Sequence, residues 1–351
     1  MKITNRLMIG AVATFGITLG TPALAQETIN VSSWGGPNHG INTIVWPTWK
    51  AWIEEATEGR VTLKVTEDLG PPATQMALVA DGVADASWIF HGHMPGRFEL
   101  TKLPEFPTFE AFSSEAASAA YWETFEEHLA QANEHRGLEV MAVGVHGPGQ
   151  IFTAEKVETF DELEGKRLRT GGGLMSDLAD AIGVSGVALP PTGVYEAASQ
   201  GVIDGAMLTL EGLRSFRVAE VLPYTLTVDG GFYRGSFAII MNPMVWDRVS
   251  SEDREAIESV SGKQLSRLFG YMMDISDERG VEFAKELGNT FTEASEEDIA
   301  MLREVSDELI DQWANKVSSG DLDAREALAF FRDRLSEAAD AESIGPRVVQ
   351  E

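Results

Sequence analysis

The stretch from Gly165 to Gly183 reads GKRLRTGGGLMSDLADAIG and holds the residues best suited to bind an anion. A short basic strand (Lys166, Arg167, Leu168, Arg169) runs into three glycines at 171–173, then into a helix with Leu174, Leu178, Ala179 and Ile182 at helical spacing. Glycines let backbone N–H groups approach a ligand, the helix behind them presents its positive end, and Arg169 leaves the strand just before the turn. An arginine stays charged and offers a flat fork that matches a carboxylate or sulfonate. An ordinary strand-to-helix turn with a surface arginine is the other reading of this stretch, and the rest of the chain must decide between them.

Other reactive chemistries leave little trace. The chain has no cysteine, which excludes disulfides, thiolate metal sites and a thiol-linked lipid anchor. No G-x-S-x-G elbow, H-E-x-x-H helix or Walker loop occurs. His91 and His93 follow a strand but lack a third ligand at motif spacing, so no metal site is expected and the pair reads as solvated loop residues. No cofactor is expected either.

The chain opens with Lys2 and Arg6, continues through an apolar run from Leu7 to Leu19, and reaches Ala23-Leu24-Ala25 ahead of Gln26. That is the pattern of a cleaved secretory signal peptide over residues 1–25, and it implies export to a bacterial periplasm. No later apolar run reaches membrane-spanning length, so the protein is not expected to be membrane-embedded. Without Lys2 and Arg6 the charged residues are 25 basic against 55 acidic, a net charge of −30. Such acidity excludes nucleic acid as a partner and means that an anion site needs local cations, which residues 166–169 supply.

Elements come in the order of an α/β protein of roughly two domains. A strand over Thr28–Trp34 leads through a glycine-rich loop to a helix with Trp46, Trp49 and Trp52, and further strands are expected at Val61–Val65, Val83–Phe90 and Leu138–Val143. The pieces DGVADA (81–86) and QGVIDGA (200–206) read as one device used in each half: a helix, a glycine stop, then a strand entering the sheet. Coincidence of a common connection is the alternative. Tyr233 to Met241 is a long apolar strand, and Ser250 to Gly288 reads as one helix with breaks possible at Gly262, Gly270 and Gly280. If continuous, about 39 residues would reach roughly 55–60 Å. A lobe of about 150 residues is only roughly 35–40 Å across, so such a helix would cross both lobes. Two acidic helices near Ser295–Asn315 and Leu322–Ala338 follow, with a loose tail from Glu342.

In this order, QMALVADGVADASW, HGPGQ, DELEGKRLRTGGG, VYEAASQGVIDGA and SFAIIMNPMVWDRV resemble the DctP-type periplasmic substrate-binding proteins of TRAP (tripartite ATP-independent periplasmic) transporters. The likeness spans nearly all of residues 27–315. It implies a two-lobed, type II-like periplasmic-binding-protein α/β fold with crossing strands and a long helix bridging both lobes. On that frame residues 26–148 plus 235–249 form lobe I, 149–234 lobe II, 250–288 the bridging helix, and 289–341 C-terminal helices packed on the lobes, with 342–351 loose. It further implies capture of a small organic anion by cleft closure and delivery to the small and large membrane subunits of an ion-driven permease, without catalysis. The arginine ending the family's K-x-L-R run pairs with the substrate carboxylate, and here that position is Arg169. By position Trp34, His39, Phe90, His91, Gln150, Gly172, Pro191, Leu208 and Ser236 would face the cleft. Gly149 and Leu208 stand where relatives often carry an arginine and a polar amide, so a monocarboxylate or sulfonate is expected over a dicarboxylate unless Arg97 or Arg234 reaches the cleft. A periplasmic enzyme acting on a small acid, or a binding protein for an ATP-driven importer or chemoreceptor, is the alternative.

Overall fold

The computed structural model describes residues 26–320 and 322–349, so the expected signal peptide lies outside the described residues. Eleven strands occur among them: β1 (Glu27–Ser33), β2 (Val61–Glu67), β3 (Ala86–Phe90), β4 (Glu139–Val145), β5 (Gly149–Thr153), β6 (Arg167–Thr170), β7 (Ser185–Ala188), β8 (Gly205–Thr209), β9 (Tyr224–Thr227), β10 (Ser236–Met241) and β11 (Thr290–Glu293). They form two sheets, β2-β1-β3-β10-β4 and β11-β9-β5-β8-β6-β7. From β2 and from β7 the two sheets run alike: two parallel pairings, then a strand paired antiparallel on both sides. The antiparallel strands are the crossing ones. The chain leaves the first sheet between β4 and β5 and returns to it between β9 and β10. Every residue of β3, β8 and β10 is buried, as expected of strands covered on both faces.

The repeated device is present in both sheets, atom for atom. Gly82 and Gly201 each take a positive φ after a short helix, at +73° and +67°. Asp85 Oδ2 then accepts the N–H of Asn30 at 2.7 Å, and Asp204 Oδ2 accepts that of Arg167 at 2.9 Å. Each aspartate thus ties the incoming chain to the strand that will be its parallel neighbour, β1 or β6. These hooks explain why β3 starts three residues later than the Val83 expected, and β8 at Gly205: residues 82–85 and 201–204 form the turn and hook.

The expected 39-residue helix is two helices, Ser251–Ser259 and Gly262–Glu286. Ser261 caps the first by donating to the Ile257 carbonyl at 2.7 Å, and Gly262 turns the chain at φ +56° against the Trp122 ring. The second helix is 25 residues, about 37 Å, so its length alone does not require two lobes. It bridges them by lying along their junction. At Gly270 a Cβ would sit 2.1 Å from the Ser114 carbonyl beside the first sheet, and at Gly280 one would sit 2.1 Å from the Leu210 carbonyl beside the second. These two glycines do not break the helix; they let both lobes touch its backbone.

Two C-terminal helices, Glu296–Val317 and Ala324–Ala338, follow β11, which pairs with β9. Of the tail expected to be loose, residues 343–349 are docked. Ile344 is buried and donates its N–H to Glu115 Oε1 at 2.8 Å, while the Arg347 carbonyl accepts the Trp52 indole N–H at 3.1 Å. Among the described residues no helix is long and apolar enough to cross a membrane.

Candidate functional site

The two sheets face each other across a narrow cavity of about 40 Å³. Trp34, His39, Trp88, Phe90, His93, His146 and Phe237 line it from the side of the first sheet. From the other side come Arg169, Met175, Pro191, Leu208, Thr209, Glu211, Phe216 and Tyr233, and the long helix adds Met273. Strand periodicity supplies much of this wall, since Trp88 and Phe90 are two apart on β3 and share a face. The indole of Trp34 stacks on that of Trp88 at 3.8 Å and 5°, and Phe237 packs 5.6 Å beyond. These stacked rings form an apolar wall.

Arg169 is the cation lining the cavity among the described residues. It comes from β6, is 2% exposed, and donates from Nε to the Leu189 carbonyl at 2.8 Å and from Nη1 to the Met207 carbonyl at 3.0 Å. No carboxylate of the described residues lies within ion-pair distance of it. Burial lowers its pKa to about 10, and it remains charged at neutral pH. Burial pushes the pKa of the nearby Tyr233 phenol up, so it stays a donor. His93 and His146 are pulled down by burial to about 4 and about 3, so both are neutral at pH 7. His146 donates from Nδ1 to the Gly147 carbonyl at 2.6 Å.

Unmatched polar atoms concentrate in the same place. Of eleven buried side-chain polar atoms without a partner among the described residues, five lie on cavity-lining side chains: Trp88 Nε1, both ring nitrogens of His93, Tyr233 Oη and Glu211 Oε2. Buried polar groups normally find partners, and a cluster of exceptions around a buried cation marks a place built for another molecule. A far larger groove of about 980 Å³ runs along the outer side of the long helix. It is open to solvent and its cations are already paired, Lys263 with Glu123 and Arg267 with Glu115, so it lacks the uncompensated charge that distinguishes the smaller cavity.

Of the residues expected to face the cleft, Arg169, Trp34, His39, Phe90, Pro191 and Leu208 meet around the cavity. His91, Gln150, Gly172 and Ser236 do not line it, because internal partners hold them. Gln150 exchanges two hydrogen bonds with the main chain of Val228, at 2.8 and 3.2 Å. Gly172 packs on the Gly92 carbonyl, 2.3 Å from where a Cβ would stand. Ser236 donates to Glu105 Oε1 at 2.6 Å and so accepts from His91 Nδ1 at 3.0 Å; His91 Nε2 then accepts from His135 at 3.0 Å. His91 is therefore a buried neutral relay and His93 a cavity wall, not a pair of solvated loop histidines.

The helix start after the three glycines does receive an anion, but the protein's own. Glu105 Oε2 accepts the Leu174 N–H at 2.9 Å, and the positive φ of Gly173 brings that carboxylate against the turn. Burial raises the Glu105 pKa to about 7, partly offset by its bonds from Ser236 and Leu174. The glycines thus join the two lobes, and the guanidinium alone faces the cavity. Arg97 and Arg234 do not reach it: Arg97 donates to the carbonyls of Glu134 and Arg136, and Arg234 to those of Phe112 and His146. Sequence reasoning missed the polar and aromatic lining residues Trp88, His93, His146, Thr209, Glu211, Phe216, Tyr233 and Phe237, and the methionines Met175 and Met273. Glu211 lies just past the carboxyl end of β8, where ligands sit in open α/β sheets, so that rule could have found it.

The fold is shared with solved structures. A TRAP periplasmic solute-binding protein from Bordetella bronchiseptica, with bound (R)- and (S)-mandelate, is 31% identical with a TM-score of 0.85, covering 88% of this chain and 99% of that one. A marine metagenome TRAP solute-binding protein specific for aromatic acid ligands, in complex with 3-hydroxybenzoate, is 25% identical with a TM-score of 0.82, covering 90% of this chain and 100% of that one. The outer membrane transporter protein TsaT of Comamonas testosteroni is 28% identical over 313 residues, 88% of this chain and 91% of its own length. The sequence pattern of the DctP family, "Bacterial extracellular solute-binding protein, family 7", matches residues 34–316, and the chain belongs to that family of TRAP-type solute-binding proteins.

Proposed function

We propose that this protein captures a small carboxylic acid with a flat, largely apolar body outside the cytoplasm and hands it to the membrane subunits of a TRAP permease, without chemical turnover. The observation that carries the reading is Arg169: a buried guanidinium with no carboxylate partner, facing a cavity walled by stacked rings. A bound carboxylate supplies the missing counter-charge and leaves the rings to cover the rest of the solute. The aromatic acids held by the mandelate- and 3-hydroxybenzoate-bound relatives agree with that chemistry. Export across the inner membrane follows from the basic, apolar, small-residue order of residues 1–25. The chain crossings at 145–149 and 227–236 supply the hinge about which lobe I (26–148 with 235–249) and lobe II (149–234) close on the solute.

Titration calorimetry with benzoate, mandelate, succinate and malate tests this. The aromatic monocarboxylates should bind at least about tenfold more tightly, because a second carboxylate would be buried without a cation. The radius of gyration should fall on binding, and mass spectrometry should recover the acid unchanged at a 1:1 ratio. Binding of dicarboxylates alone overturns the ligand class, and turnover of the acid overturns the absence of catalysis.

A further inference from the structure

Resting on the reading of the cavity as a carboxylate site, we propose that Glu211 selects solutes that carry a hydrogen-bond donor, a hydroxyl or an ammonium, in addition to the carboxylate held by Arg169. Glu211 is 4% exposed and lines the cavity. The long helix holds it in place: its N–H donates to Asp277 Oδ1 at 2.7 Å, and Gly280 admits the neighbouring Leu210 carbonyl against the helix backbone.

The two oxygens of this carboxylate are treated differently. The protein's side-chain donors gather on Oε1, with Thr209 Oγ1 at 3.5 Å and His39 Nε2 at 3.8 Å. His39 Nδ1 accepts the Ile41 N–H at 3.1 Å, so a neutral His39 ring carries its proton on Nε2, the nitrogen facing Glu211. Oε2 is buried and has no partner. An ionised carboxylate only accepts, so what complements Oε2 is a donor. Elsewhere on the same side, beyond ion-pair distance of Glu211, the pattern reverses, since Arg169 and Tyr233 Oη offer donors that suit an acceptor. The cavity therefore offers donors at one place and a free acceptor at another. A second carboxylate placed against Glu211 meets like charge. A hydroxyl meets Oε2 by hydrogen bonding alone, whereas an ammonium would also cancel the negative charge left when Arg169 is neutralised by the solute.

The test is titration calorimetry on three pairs: benzoate with 3-hydroxybenzoate, phenylacetate with mandelate, and phenylacetate with phenylglycine. In the native protein the donor-bearing member of at least one pair should bind about tenfold more tightly or better, the scale of one hydrogen bond to a charged group. The first two pairs read a hydroxyl and the third an ammonium. Glu211→Ala should bring that ratio to within about twofold, whatever it does to the affinity of the unsubstituted parent itself. Glu211→Gln, which preserves shape and removes the charge, must also lower the ratio if the alanine variant does not fold. Parents binding as tightly as their partners in all three pairs, or a ratio unchanged by either variant, overturns the inference and leaves the carboxylate reading standing. If the native protein binds none of these acids, or if Arg169→Ala binds them normally, the carboxylate reading fails and takes the inference with it.

Discussion

Arg169 and Arg234 are both 2% exposed, and both donate to main-chain carbonyls, yet their surroundings differ. Arg234 sits at the crossing of the chain between β9 and β10. It bonds the Phe112 and His146 carbonyls and the Ser114 hydroxyl, with the Asp274 carboxyl near enough to offset part of its burial. Its one unmatched atom is Nε. Arg169 has no carboxylate beside it, and the unmatched atoms around it belong to four other side chains that share its cavity. A buried arginine is therefore not in itself a binding site. What distinguishes one is that its neighbours also lack partners, because those atoms are kept for a molecule that comes and goes.

The comparison breaks if the two arginines behave alike when removed. Arg169→Ala should weaken binding of the preferred acid by about 3–5 kcal/mol, roughly two to four decades in Kd by calorimetry. The ligand-free melting temperature should fall by less than in the Arg234 variant, since removing an uncompensated buried charge offsets the loss of donors to the Leu189 and Met207 carbonyls. Near-native affinity would end the assignment of Arg169 to the carboxylate. Arg234→Met should act chiefly on stability and lower the unfolding free energy by about 3–4 kcal/mol in urea, because two carbonyls and a hydroxyl lose their donors in a dry place. An unchanged denaturation midpoint would mean that water satisfies those carbonyls.

Glu105 sharpens the contrast from the side of the helix start. Its folded pKa of about 7 lies above the ordinary carboxyl value of 4.5, so between those pH values the folded state binds the extra proton. Its contribution to stability is therefore full below about pH 4.5 and falls as pH rises to about 7, by at most about 3.5 kcal/mol at about 1.4 kcal/mol per unit. The stability difference between Glu105→Gln and the native protein should accordingly shift in favour of the variant from pH 4.5 to pH 7.5. A constant difference across that range would show that Glu105 titrates as it does in the unfolded chain. The smallest effect is expected at Gln150, whose amide only clasps Val228: Gln150→Ala should cost about 1–2 kcal/mol of stability and leave affinity unchanged. A tenfold loss of affinity would return Gln150 to the cavity.

Much of this was legible along the chain. Local signals named the strands and short helices, and the DGVADA and QGVIDGA pieces revealed the repeated hook, because glycine stops and aspartate hooks act on residues near in sequence or on the adjacent parallel strand. Arg169 stood out because a basic strand end before three glycines is rare in so acidic a chain. The long helix was read as breakable at Gly262, Gly270 and Gly280 alike, and only Gly262 breaks it, since sequence does not say whether a glycine turns the chain or admits a neighbour. The tail was read as loose because its anchors, Glu115 and Trp52, lie more than 200 residues away.

By itself, then, the sequence determined the element order, the two-fold repetition of the lobes and the arginine best placed to meet an anion. Only the tertiary structure decided which anion takes the helix start, where Glu105 arrives from 69 residues away and leaves the guanidinium to the cavity. It alone decided which polar atoms are matched. Whether Gln150, Ser236 or His91 faces a solute depends on partners brought by other strands and loops, and whether Glu211 keeps a free oxygen depends on how Thr209, His39 and the long helix converge on it. Propensity is local, whereas hydrogen-bond satisfaction is settled only when distant segments pack.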